Sequence, residues 1–385
     1  MRLYIGLALS WLLATAAIAQ GISRKTVNIS ETEALIKIDG RLDESVWKDI
    51  APAKDFIQTF PYDSSLSDTQ CDIYFTYDKD NIYIGTRCND LDPTKKFAIL
   101  SKRRDFRGPG IESVNVVLDP FMDQTNAYSF GLNPLGVQKE GLVVNGGNQS
   151  EDFSLDWDNK WEGESYIGDG FWTSEMAIPF KTIRFPEGSS KWYFNAYRVD
   201  SKTNERATWN RVPRNFRPYS LSYTGELIWD KPLPKPGGNI SVIPFVSSGL
   251  NKDFEEGTAT TFQKAIGGDV KIALTPSMNL DLTINPDFSQ VEVDKQVTNV
   301  DRFEIFFPEK RQFFLENADL FASFGNEKAR PFFSRRIGVA IDTSTGSNVQ
   351  NKIYGGFRLN GKLNNRLRVG LLNMQAAEDN QIQLP

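Results

Sequence analysis

Apolar and polar residues alternate with a period of two over short stretches along much of the chain. Ile73-Tyr74-Phe75-Thr76-Tyr77, Asn81 to Thr86, Ser113 to Leu118 and Tyr128 to Leu132 show it first. Gly170 to Ile178, Trp192 to Val199 and Leu221 to Trp229 continue it, with turn residues between the runs. Successive side chains of a strand point to opposite faces, so each run predicts a strand with one face buried. Helical periodicity is nearly absent apart from a short turn after Asp43. Regularly spaced short strands from Val27 to about Trp229 predict a β-sandwich.

The pattern breaks at Lys231-Pro232-Leu233-Pro234-Lys235-Pro236-Gly237-Gly238. Alternating prolines stiffen the chain and the two glycines release it, which marks a linker over 231–238. Beyond it, Val270, Ile272 and Leu274 alternate with Asp269, Lys271 and Ala273, and Leu280, Leu282 and Ile284 with Asp281, Thr283 and Asn285. Ile353, Gly355, Phe357 and Leu359 share one face of a later run, and Leu367, Val369 and Leu371 that of another. Such hairpins fit either a lipid-facing barrel wall or an ordinary half-buried sheet, and pattern alone does not choose. Asp301 to Phe324 lies between them, with Phe306, Phe307, Phe313 and Phe314 around Glu309-Lys310-Arg311. It reads as a compact turn over its own aromatics, or as an insertion against a barrel lumen.

Ahead of the first alternating runs stands Ile38-Asp39-Gly40-Arg41-Leu42-Asp43-Glu44-Ser45-Val46-Trp47. Gly40 allows the positive φ of a tight turn, Asp43 is placed to cap a helix, and Leu42 and Trp47 have the spacing of a hydrophobic staple. The two cysteines, Cys71 and Cys88, flank a hairpin turning at Asp78-Lys79-Asp80-Asn81. If Tyr77 pairs with Ile82, the register sets Cys71 opposite Cys88, as a disulfide or as two small buried residues.

Composition narrows the chemistry. The first nineteen of the 385 residues read as a signal peptide, with Arg2, an apolar stretch from Tyr4 to Thr15, and Ala17-Ile18-Ala19 before Gln20. The mature chain is therefore expected to be exported. The net charge of −5 with dispersed Lys and Arg makes nucleic acid a poor partner. Histidine is absent, which excludes His-based nucleophile systems, HExxH metalloproteases and His-ligated zinc or haem. Any chemistry falls to carboxylates, Lys, Tyr, Ser or bound ions.

The run Ile38 to Trp47 resembles the opening of family 9 carbohydrate-binding modules. Tyr77-Asp78 with Asn81 to Ile84, Arg103-Arg104-Asp105, Val116 to Pro120, Tyr128 to Gly136, Trp157 to Glu162, Trp172 to Phe185 and Trp192 to Asn195 extend the resemblance. Beyond the linker, Thr283 to Val291, Phe307 to Phe314 and Phe333 to Gly338 resemble an uncharacterised bacterial outer-membrane β-barrel family. The resemblance implies an all-β chain: an antiparallel, jelly-roll β-sandwich over 20–230, then antiparallel strands of an incomplete β-barrel over 239–385. A barrel needs at least about eight strands, and 239–385 supplies about five or six, so the chain is expected to be part of a longer barrel protein.

The function implied is a non-catalytic, exported carbohydrate-binding protein of the outer membrane, with an oligosaccharide or polysaccharide as partner. The alternatives are a structural or transport component without a sugar site, and an accessory part of a glycoside hydrolase. Sugar recognition needs flat aromatic faces with carboxylates and amides at their edges. Trp157 and Trp161, beside Asp158, and separately Trp209 are the candidates, each with core packing as the alternative. Structural calcium is implied by the resemblance, with Asp90, Asp92, Asp119 and Asp123 as ligands or as plain solvated turns. Hydrolysis would need a carboxyl pair, for which Glu140, Glu151, Asp152, Asp156 and Glu175 carry no discriminating motif. Glu175 sits in an apolar run, where it becomes either a buried carboxyl with a raised pKa or the partner of an arginine.

Overall fold

The computed structural model describes residues 24–99, 102–106, 110–155, 157–234, 240–252, 260–275, 278–286, 312–315, 321, 332, 334–341, 348–364 and 367–377. The expected signal peptide, the linker core at 235–239, Asp156 and most of 287–331 lie outside them. The strands of the first body are β1 (Thr26–Glu31), β2 (Ile57–Phe60), β3 (Cys71–Tyr77), β4 (Asn81–Asn89), β5 (Ser113–Asp119), β6 (Ala127–Leu132) and β7 (Gln138–Val143). They continue with β8 (Phe153–Ser154), β9 (Glu162–Ile167), β10 (Phe171–Pro179), β11 (Lys191–Asp200), β12 (Glu205–Thr208) and β13 (Gly225–Trp229).

These strands form a two-layer sandwich. One layer runs β8-β7-β6-β5-β11-β13-β1 and the other β1-β3-β4-β10-β9, so β1 belongs to both. Thr26 to Ile29 pair with β13 and Ser30 to Glu31 with β3, both in parallel, whereas the other pairings of the sandwich are antiparallel. The alternation read from the sequence supplies the core. Ile73, Phe75, Ile84, Trp172 and Met176 of one layer meet Val116, Leu118, Phe130, Trp192 and Phe194 of the other. Phe75 and Phe194 touch edge to face with ring centres 5.0 Å apart. Cys71 pairs with Cys88 in register and the two form a disulfide, 4.2 Å between Cα atoms.

The outer face of the β3-β4-β10-β9 layer carries the segment that begins with the Asp39-Gly40 turn. Its helix, α1 (Ser45–Asp49), starts from Glu44 rather than from Asp43, and no side chain caps it. Glu44 is engaged elsewhere: its carboxylate accepts the Lys37 N–H at 3.1 Å and the Trp47 indole N–H at 3.2 Å. Trp47, Tyr83 and Ala177 make a second small core here, joined by Leu42 as the staple spacing predicts. Gly85 leaves the room for it, since a Cβ there would lie 2.8 Å from Leu42 and 3.2 Å from Trp47.

Glu175 anchors this segment. It is fully buried and pairs with no arginine among the described residues; its carboxylate accepts N–H groups from Asp39 at 3.1 Å, Gly40 at 2.9 Å and the Trp47 indole at 3.0 Å. Gly40 takes φ +82° and lies so close to Ser165 that a Cβ would fall 2.5 Å from its carbonyl carbon. Its own carbonyl accepts the Thr173 hydroxyl. Burial pushes the Glu175 carboxyl up to about 7, against the opposing pull of the three N–H donors.

The second body holds β14 (Ile240–Asn251), β15 (Thr261–Thr275), β16 (Met278–Ile284), β17 (Val339–Ile341), β18 (Asn348–Gln350), β19 (Ile353–Asn364) and β20 (Leu367–Ala376). Five form an antiparallel sheet in the order β14-β15-β16-β19-β20, while β17 pairs with β18. Its register lines up Ile240, Ile272, Leu280, Leu359 and Leu371 across all five strands. The neighbouring row, on the opposite face, is Ser241, Lys271, Asp281, Arg358 and Leu372. Polarity is inverted relative to a water-soluble sheet. Asn279, Asp281, Thr283, Arg358 and Asn360 are buried, with Arg358 and Asp281 paired at 2.7 Å. Val246 and Ile266, by contrast, are 79% and 73% exposed. The described part of the Phe-rich insertion, α2 (Gln312–Leu315), places Phe313 5.2 Å from the Arg358 guanidinium, on the polar face.

The folded state holds the Glu175 proton more tightly than the unfolded chain, whose carboxyl titrates near 4.5. The contribution of this group to stability is therefore complete below about pH 4.5 and declines, by up to about 3 kcal/mol, as pH rises through about 7. Urea unfolding of the wild type and of Glu175→Gln across that window measures it. The wild type should lose stability with pH by this increment relative to the variant; parallel profiles would contradict the assignment.

Candidate functional site

The anchored segment covers only part of the sheet beneath it. Next to the rung Tyr74, Gly85, Glu175 and Glu164 lies the rung Asp72, Arg87, Thr173 and Tyr166, running side by side across β3, β4, β10 and β9. Period-two alternation puts all of these on the face away from the core. A cleft of about 510 Å³ opens over this second rung, within the usual size of small-ligand sites. Its walls are Arg41, Leu42, Asp43, Trp47, Lys48, Ile50 and Pro52 from the anchored segment, with Tyr74, Arg87, Tyr166, Phe171 and Thr173 from the sheet. The Arg41 guanidinium lies 3.7 Å over the centre of the Tyr166 ring, and that of Arg87 3.7 Å over Phe171. Aromatic planes, two guanidiniums, an ammonium, one carboxylate and three hydroxyls, those of Tyr74, Tyr166 and Thr173, thus belong to the residues around one hollow.

The tryptophans expected to carry a sugar are elsewhere, and the stacking platform does not form. Trp157 and Trp161 are 3% and 5% exposed. Trp157 packs on Tyr128 and Phe130, and Trp161 on Phe130, inside the sandwich. The Trp161 indole donates to the buried Glu140 carboxylate at 3.2 Å, and Gly163 gives it space, a Cβ there falling 2.6 Å from the ring. Trp209 is buried too and stacks on Phe194 at 4.2 Å between centres. Their faces are occupied by protein. Asp158 is exposed and presents a carboxylate oxygen within 4.8 Å of those of Asp105 and Glu140. Arg104 already pairs with Glu140, and burial lifts the Asp105 carboxyl to about 6.

None of the described carboxylates considered for hydrolysis lines the cleft; Asp43 alone does, so no acid pair faces it. Glu140 is held by Arg104, Asp152 accepts the N–H groups of Asn148 and Gln149, and Glu175 lies beneath the anchored segment.

The four calcium candidates divide in two. Asp90 is bound by the Lys202 ammonium at 2.7 and 2.8 Å, and Asp92 pairs with Lys95 at 3.0 Å, so cationic side chains take the place of an ion there. Asp119 differs. One carboxylate oxygen accepts the Gln124 N–H at 2.9 Å, while the other is buried with no hydrogen-bond partner among the described residues. Burial first, and the charge of Asp123 second, push its carboxyl up to about 7. An orphaned buried carboxylate oxygen beside a second acid fits a hard cation.

Sequence reasoning missed Arg41, Arg87, Tyr166 and Phe171. Arg41 lies within the Ile38 to Trp47 run, but its partner Tyr166 is far along the chain, and the two meet through the docking of the Asp39-Gly40 turn on Glu175 and Thr173 of β10, whose neighbour is β9.

Comparison with known proteins bears on both bodies. Residues 236–380 match a family described as a domain of unknown function, DUF5916. No curated protein matches the chain. Among solved structures, the chain is similar to a family 9 carbohydrate-binding module from Caldicellulosiruptor kristjanssonii in complex with cellotriose, at 14% identity and TM-score 0.39, over 54% of this chain and 94% of that one. A family 9 module from the same organism in complex with glucose matches at 13% identity and TM-score 0.39, over 54% and 96%. A putative carbohydrate-binding protein from Bacteroides uniformis ATCC 8492 matches at 13% identity and TM-score 0.42, over 54% and 100%. At these scores none decides a function, and the weight falls on the chain's own geometry.

If Trp157 and Trp161 serve packing, truncating either to Ala should cost stability, about 3–5 kcal/mol by chemical unfolding. An unchanged unfolding midpoint would contradict the placement.

Proposed function

We propose that the sandwich is a non-catalytic glycan-binding module of an exported envelope protein, and that the cleft between α1 and strands β4, β10 and β9 holds an oligosaccharide. The carrying observation is the cleft itself: Tyr74, Tyr166 and Phe171 supply aromatic surface, and Arg41, Arg87, Asp43 and Thr173 supply hydrogen-bonding edges around it. Pyranose rings present an apolar C–H face and a rim of hydroxyls, which such a wall matches. A second role is favoured by the inverted second sheet. An apolar exposed face over a polar buried one suits lipid outside and a polar interior, so we read 239–385 as wall strands of an outer-membrane barrel. The sandwich would then be held at the envelope. A calcium ion at Asp119 and Asp123 belongs to this reading as a structural element of the β5–β6 turn.

Three measurements test these parts. A glycan panel should show saturable binding that Tyr166→Ala and Phe171→Ala weaken by about tenfold or more without lowering the melting temperature; a panel without binders would remove the glycan role. For the membrane role, Val246→Lys or Ile266→Lys should sharply reduce recovery in the outer-membrane fraction, the scale being about 2–4 kcal/mol per buried charge. Wild-type protein that stays monomeric and dispersed without detergent would count against it. Calcium should raise the melting temperature by several degrees, an effect lost in Asp119→Asn; equal melting with calcium and with chelator would dismiss the ion.

A further inference from the structure

We infer that the ligand of this cleft is acidic, an oligosaccharide bearing uronate carboxylates. The inference rests on the glycan reading above and names the chemistry that the site selects. Arg41 and Arg87 each lie over an aromatic ring at 3.7 Å, on opposite sides of the Thr173 position. A guanidinium held over an arene keeps its N–H edge free for a planar acceptor and loses little conformational freedom on binding. Neither guanidinium is within salt-bridge distance of a carboxylate among the described residues.

Charge in the cleft is lopsided as a result. Arg41, Lys48 and Arg87 line it against Asp43 alone. Asp72, the cross-strand neighbour of Arg87, does not line the cleft; burial pushes its carboxyl upward against the pull of Lys54 and Arg87. The chain as a whole carries a net charge of −5, so this is a local concentration of positive charge against the general balance. Each guanidinium lies against an aromatic ring of the cleft, so a cationic edge stands directly beside the surface that a pyranose ring would meet. A neutral ligand offers these two guanidiniums only hydroxyl acceptors, whereas a carboxylate accepts from either fork in bidentate geometry.

Matched pairs of tetrasaccharides test it: oligogalacturonate, oligomannuronate and oligoglucuronate, each with its carboxyl-reduced neutral counterpart, titrated calorimetrically into the full chain. At least one acid should bind about tenfold or more tightly than its reduced partner, the scale of one lost charge-assisted hydrogen bond. That margin should shrink with added salt. Arg41→Gln and Arg87→Gln should each remove most of it and Arg87→Lys only part, with melting temperatures held. Equal or tighter binding of the reduced sugars would overturn the inference while leaving the glycan reading intact. Binding of none of the six would also overturn it, and the wider neutral panel then decides the glycan reading separately. The comparison of acid with reduced sugar, and its salt dependence, needs no variant to fold.

Discussion

A single buried carboxylate organises the outer face of the β3-β4-β10-β9 layer. Glu175 has no cation to neutralise it among the described residues, yet three N–H groups converge on it from the Asp39-Gly40 turn and from Trp47. An ionisable group removed from water needs such donors, and a chain segment can supply them only by lying flat on the sheet. That geometry requires a glycine where the turn presses on Ser165, and another at position 85 where Leu42 and Trp47 settle. The motif Ile38 to Trp47 is thus explained as the counterpart of one glutamate more than a hundred residues further on. Remove the anchor, and Arg41, Asp43 and Lys48 have no fixed place over strands β4, β10 and β9.

The two bodies use the same strand alternation to opposite ends. In the sandwich, both inner faces are apolar and meet in one core closed by Phe75 against Phe194. In the second sheet, the buried face carries Asp281, Arg358 and Asn360 while isoleucines and valines face outward. Sequence periodicity reports that two faces differ; it does not report which one is turned inward. The hairpins after the linker therefore read equally well as a soluble sheet or a membrane wall, and the burial of Asp281 and Arg358 is the observation on which the proposed wall rests.

Much of the fold is legible in the sequence because it depends on local alternation. The strands at 71–77, 81–89, 113–119 and 191–200 and the pairing of Cys71 with Cys88 follow from period two and one hairpin register. The site is less legible, for two reasons. Acidic neighbours make Trp157 and Trp161 look like an exposed platform, but a large indole whose N–H finds a buried acceptor such as Glu140 is stable inside. Arg41 and Tyr166 show no connection in the sequence because their meeting depends on the Asp39-Gly40 turn docking on Glu175, Thr173 and Ser165 of the distant β9–β10 hairpin. The apolar run around Glu175 shows its burial and raised pKa as one of two readings, but the same limit hides its partners, the N–H groups of the distant Asp39-Gly40 turn.

The ligand is proposed to meet the protein at the cleft beside the anchored segment. Hydrogen–deuterium exchange of the full chain, with and without a bound oligosaccharide, tests that most directly. Protection is predicted at 40–52, around Arg87 and over 166–173, with the rest of the sandwich unchanged. Protection centred on 157–162 or on Trp209, with 40–52 and 166–173 exchanging as before, would contradict it.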